Sequence, residues 1–129
     1  MPQVDKLGTL RRVLLGIAGL LGAIGVAAAA RASHSSDSRN IAAIATIFLA
    51  HAPVLVALGL AARGRVMVWS GIALAFGTIL FGLDLALREQ LGQGAFPGAA
   101  PLGGGLMILA WLGLVVAAVL WRPNTDFTK

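Results

Sequence analysis

Cysteine is absent from this 129-residue chain. That removes disulfide exchange, thiolate metal ligation, thiol oxidation and S-acylation together. Tyrosine is absent as well, and aromatic residues make up only 6% of the chain. Charge is scarce: Asp, Glu, Lys and Arg total 12%, about half the share of an ordinary soluble domain. The scarcity is sharpest in four runs, Val13–Ala30, Ile41–Ala62, Val66–Leu87 and Leu102–Trp121, where Asp84 is the lone formal charge. A glycine-rich phosphate loop, an HExxH pair and a Cys–His pair are also missing, so the chain carries no common enzymatic signature.

What the chain has instead is apolar length. It is 58% hydrophobic, with a mean hydropathy of +0.89. A hydrocarbon core about 30 Å thick is crossed by roughly 20 residues at 1.5 Å rise, and each of the four runs has about that length. They predict an all-α membrane protein: an antiparallel four-transmembrane-helix bundle in a single domain, 1–129, with helices at about 11–32, 41–62, 66–88 and 102–121. The lipid bilayer is the expected partner, and the location a multi-pass one in the cell (inner or plasma) membrane.

The net charge of +5 predicts no nucleic-acid partner, because the basic residues sit at run ends and not along a stripe. Cytoplasmic flanks collect Lys and Arg. With the N-terminus inside, the inner segments hold Lys6, Arg11, Arg12, Arg63, Arg65, Arg122 and Lys129, against Arg31, Arg39 and Arg88 outside. Both termini are therefore expected in the cytoplasm. Lys6, Arg11 and Arg12 followed by an apolar run and Ala30-Arg31-Ala32 imitate a secretory signal. The run is longer than the usual signal core of about 7–15 residues, so retention is expected, and the intact mass decides it.

Glycine numbers 17. In lipid, small residues let helix backbones approach closely, and packing then drives association. Ala18/Gly22 and Gly25/Ala29 form small-xxx-small pairs in the first run. Gly77 stands in the third, and Gly103, Gly104, Gly105 and Gly113 in the fourth. Gly22, Gly25, Gly103 and Gly104 are the expected packing positions. Pro101 suits the first turn of the last helix, where a missing donor matters least.

Few residues can carry chemistry. His51 lies about 15 Å along the second helix from Ile41, and Pro53 removes the helical donor that the Leu49 carbonyl would use. An imidazole beside a free carbonyl makes a candidate polar pocket; the plainer expectation is that His51 bonds a neighbouring helix. Asp84 and Arg88 share a helix face at i,i+4 and should pair. Proton or cation uptake at Asp84, and an Asp84–His51 pair across helices, are the functional alternatives. His34 belongs to the outer connection and differs from His51 in depth by about 10 Å or more, which argues against a bis-histidine haem. No metal and no cofactor is expected. Ser33, Ser35, Ser36 and Ser38 surround His34 and Asp37 in a polar connection, where sequence neighbours seldom form a triad.

A small four-helix multidrug carrier would need a glutamate in the middle of its first helix, and this chain has none there. A better match rests on four ordered motifs. Gly19-Leu20-Leu21-Gly22-Ala23, Val26-Ala27 and the closing Ser33-His34 come first. Ala50-His51-Ala52-Pro53-Val54-Leu55 then precedes Gly59. Leu80-Phe81-Gly82-Leu83-Asp84-Leu85-Ala86 follows, and last Ala100-Pro101-Leu102-Gly103-Gly104 with Ala110-Trp111. Over residues 10–120 the chain resembles the small four-helix membrane family of the domain of unknown function 423, with its YgdD-like and YwdK-like members. It departs from that pattern at Ala28-Ala29-Ala30-Arg31, at Pro53, at Asp84 (a serine in the family) and at Ala86 (a tyrosine). The resemblance implies a fold and a membrane location, puts His34 and His51 on the family's histidine positions, and implies no activity.

Three function classes follow. The first is a non-enzymatic accessory or interaction subunit, or a homo-oligomer. The second is a small proton- or cation-coupled transporter using His51 and Asp84. The third is lipid or quinone binding in an outer-leaflet groove near His34.

Overall fold

A computed structural model describes residues 5–122. Among them are four α-helices and no strand: α1 (Lys6–Ser33), α2 (Arg39–Ala61), α3 (Gly64–Leu91) and α4 (Ala99–Leu120). All four are long and apolar enough to cross a membrane. Without water, every backbone N–H and C=O in a span must be satisfied within the protein, and a helix does this along its whole length. α1 and α3 run past both bounds read from the apolar runs, and α2 and α4 past the first bound only, because backbone hydrogen bonding continues through polar flanks. α1 and α3, with 28 residues each, are about 42 Å long and overreach a core of about 30 Å. Lys129, counted above among the inner charges, lies outside the described residues.

The helix ends follow local chemistry. Gly92 closes α3 in the left-handed region (φ 73°), its N–H bonded to the Arg88 carbonyl at 3.0 Å; a side chain there would be strained. Gly98 (φ 89°) opens α4, and Leu102 N–H reaches its carbonyl at 2.9 Å. Arg11 closes α2 from outside it, donating through Nε to the Gly59 carbonyl at 3.0 Å and through Nη2 to the Leu60 carbonyl. A guanidinium at a helix C-terminus satisfies orphan carbonyls and opposes the negative end of the dipole. Pro53 sits inside α2, which continues through it to Ala61.

Packing runs through small residues. A Cβ added to Gly25 would meet Leu49 and Phe48 at 2.9 and 3.2 Å, and one on Gly59 would meet Leu15 and the Arg11 carbonyl. Phe48 is a wedge, with its Cβ against Gly25 of α1 and its ring against Gly82 of α3. Leu14 fills the notch at Gly71 and is fully buried, as are Leu55 and Leu74. On the other side, a Cβ on Gly77 would lie 2.8 Å from the Gly103 carbonyl, and one on Gly103 would lie 2.8 Å from the Gly77 carbonyl. Backbone meets backbone there.

One packing expectation needs correction: Gly104 has nothing within 4 Å of an added Cβ, whereas Gly22 meets the Ala52 methyl of α2 at an ordinary contact distance of 3.8 Å. Successive helical residues point about 100° apart, so Gly103 faces α3 and its neighbour Gly104 does not. The four helices also pack unequally. α1, α2 and α3 contact one another, whereas the α4 backbone approaches α3 alone. The outer face of α4 is correspondingly bare, from Leu102 through Ile108, Leu112 and Val115 to Val119, the last 80% exposed.

Candidate functional site

Asp84 is fully buried near the end of α3, and both its oxygens are used. Oδ2 accepts from Arg88 Nε at 2.7 Å, and Oδ1 accepts from the Ala95 backbone N–H at 2.8 Å. The predicted i,i+4 pair is present, with Arg88 45% exposed. The second bond was not legible, because Ala95 lies in the loop after α3. A Cβ on Gly94 would run into Asp84 Oδ1, so the loop can lie on the carboxylate only with a bare backbone at that position. Beside this clamp, Asn40 Nδ2 donates to Glu89 Oε2 at 3.2 Å, joining the start of α2 to the end of α3.

His51 is buried in α2. Its Nδ1 stands 2.7 Å from the Ile47 carbonyl, one turn back, and its Nε2 stands 3.3 Å from Trp111 Nε1 of α4. A carbonyl only accepts and an indole N–H only donates. The two bonds therefore specify a neutral ring with its proton on Nδ1. The ring faces Trp111 at a centroid distance of 6.2 Å. Its backbone partner is Ile47 and not the Leu49 carbonyl that Pro53 frees. No periodicity in the sequence identifies Trp111 as the partner, since facing between helices 60 residues apart is a tertiary property.

His34 caps the C-terminus of α1, exposed, with its backbone N–H on the Arg31 carbonyl at 3.1 Å. Its serine neighbours serve the helix end. Ser33 Oγ donates to the Ala30 carbonyl at 2.7 Å, and Ser35 Oγ to the Arg31 carbonyl at 3.1 Å. His34, His51 and Asp84 each answer to different groups and form no common site. Among the described residues, no three of His, Asp or Glu gather as a metal-binding set.

The remaining feature is a groove. α1 touches α3 where Leu14 meets Gly71. Toward the other end of the two helices lies an apolar cleft of about 570 Å³, floored by Ile41, Ile44 and Phe48 of α2 and reaching Arg31 and Gln90.

No solved structure matches the chain. Residues 19–104 match the model of a family described as "Protein of unknown function (DUF423)". The match runs from the middle of α1 to the first turn of α4 and is shorter than the 10–120 expected from the motifs, leaving Trp111 beyond it. It spans two thirds of the chain, with His34, His51, Asp84 and the Gly77–Gly103 contact inside it, and the chain belongs to that family.

Proposed function

We propose that the protein is a non-enzymatic, multi-pass membrane protein that works by packing against other membrane components, as an accessory subunit or a homo-oligomer. One observation carries this reading: the two buried ionisable groups are spent on the protein's own architecture. His51 ties α2 to α4, and Asp84 ties the α3–α4 loop to α3. A carrier cycling protons through them would have to break both ties in every cycle. The bare faces of α1 and α4 give partner helices somewhere to sit.

Antiparallel neighbours are part of the proposal. It is supported by contacts that pair Arg11 with Gly59, Gly25 with Leu49, Asn40 with Glu89, and Gly113 with Ser70. Placing both termini in the cytoplasm rests on the distribution of Lys and Arg. The absence of cysteine makes that testable: an impermeant thiol reagent added outside intact cells should label Gln93→Cys and spare Arg65→Cys, and the reverse pattern would invert the topology. The functional test is native mass spectrometry after mild extraction. A fixed oligomer or a reproducible partner is expected; a partner-free monomer that supports substrate-dependent proton flux, lost in His51→Ala or Asp84→Asn, would refute the proposal.

A second reading, lipid or quinone binding, is favoured by the α1–α2–α3 groove. From Ile17 to Arg31 the groove is about 21 Å long by helical rise, enough for one hydrocarbon chain with its polar end near Arg31. Ala27→Phe would fill it from the exposed side of α1 and should abolish retention of such a ligand.

A further inference from the structure

The opposite end of the molecule carries a second cavity, of about 520 Å³, where the α2–α3 turn meets the end of α4. Arg63 and Arg65 line it from the turn and Arg122 from beyond α4; Trp121, Met67 and Leu120 supply the apolar part of the wall. Among the described residues no Asp or Glu lines it, and the only ion pair is Arg88 with Asp84, at the far end of α3. Three arginines thus line one cavity with no carboxylate of the described residues in its wall.

The cavity also receives the N-terminus of α3. Gly64, Arg65 and Val66 form the first turn of that 28-residue helix and line the same space. No side chain caps this terminus, and its first turn has no acidic residue. Orphan N–H groups at a helix start, together with the positive end of the dipole, favour an anion. Guanidinium groups and uncapped amides share one preferred ligand, a phosphate oxygen. The indole of Trp121 marks the level at which amphipathic rings sit between water and lipid.

We infer that Arg63, Arg65, Arg122 and the uncapped start of α3 form a head-group site for one anionic phospholipid. Its phosphate lies against the arginines, and its chains leave along Met67 and Leu120. A lipid is favoured over a soluble anion because most of the wall is apolar, with the three arginines set into it. A basic topology signal alone requires neither a shared cavity nor an open helix terminus. The inference is independent of whether the protein acts as a subunit.

The test is native mass spectrometry of the full chain in mild detergent, titrated separately with phosphatidylglycerol, phosphatidylcholine and inorganic phosphate. Purified protein has no orientation to lose, so arginine changes that would disturb insertion in cells do not confuse the reading. Each basic residue near an anionic lipid surface contributes a factor of about five, so three give a preference for phosphatidylglycerol over phosphatidylcholine of about 100-fold. Arg63→Gln, Arg65→Gln and Arg122→Gln should each reduce that preference about fivefold, and the triple variant should remove it. Arg39→Gln, remote from the cavity, should leave it unchanged. If the triple variant does not accumulate, the single variants carry the same prediction. An unaltered preference in all three single variants would overturn the proposal. So would full competition by inorganic phosphate, which would make the site one for a soluble anion. A preference that emerges only with Asp126→Asn would overturn it too, since the chain's own tail would then be the occupant.

Discussion

Gly103 and Gly104 are neighbours of the same type on the same helix, yet alanine should act on them in opposite directions. At position 103 the new methyl would lie 2.8 Å from the Gly77 carbonyl oxygen and 2.8 Å from the Phe81 nitrogen, both backbone atoms. Neither can rotate aside. Ordinary contact begins near 3.4 Å, so the α3–α4 seam would have to open by about 0.6 Å. A radial gap of about 0.5–1 Å forfeits a quarter to a half of each dispersion contact along it, and overpacking of this kind costs about 1–3 kcal/mol. At position 104 an added methyl meets nothing within 4 Å. There the remaining effect is the lower helix propensity of glycine, so Gly104→Ala should be neutral or gain up to about 1 kcal/mol. The two variants should differ by about 2 kcal/mol, roughly 30-fold in the equilibrium constant. Reversible unfolding in mixed micelles, followed by circular dichroism as the denaturing detergent fraction rises, reads that difference. Equal midpoints for the two alanines, or a greater loss at 104, would refute the assignment of the seam.

The His51–Trp111 bond should appear in a double-mutant cycle of His51→Leu and Trp111→Phe as a coupling of about 0.6 kcal/mol, up to about 1.7; additive losses would show that the two rings do not interact. Asp84→Asn keeps an acceptor for the Ala95 N–H and should be milder than Asp84→Ala, which loses both bonds and should cost a further ~1 kcal/mol; equal stabilities would detach the loop from Asp84. Gly94→Ala should raise protease cleavage in the 92–98 loop, because its methyl displaces the backbone from the carboxylate, and unchanged cleavage would contradict the clamp. Arg11→Gln should speed amide exchange at the α2 end near Leu60 while leaving the Asn40 end unchanged.

Much of this architecture is legible in the residues. Apolar runs of bilayer length mark the helices, and the spacing of Asp84 and Arg88 brings those two together, because both signals are local and periodic. The Ala95 N–H on Asp84 is not legible, since it depends on how a loop folds back. Nor is the choice between Gly103 and Gly104, which depends on the rotation of α4 about its own axis. Trp111 is hidden for the same reason. An apolar helix with aliphatic residues on every side presents no preferred face to a reader, and only the position of α3 selects one. His51 is conspicuous as a histidine in lipid, yet its purpose lies in the indole opposite.

The single seam that holds α4 has a consequence for assembly. α1, α2 and α3 form a mutually packed trio, while α4 is joined to it by one helix face, one imidazole–indole bond and the short connection from Gly92 to Gly98. The association of α4 is then in effect a tethered dimerisation, held by the connection at high local concentration. A second copy offers the same face of α3 to the same α4. Loosening the Gly77–Gly103 contact while keeping the tether would therefore favour exchange of last helices between neighbouring molecules, and the protein's oligomeric state would depend on its density in the membrane.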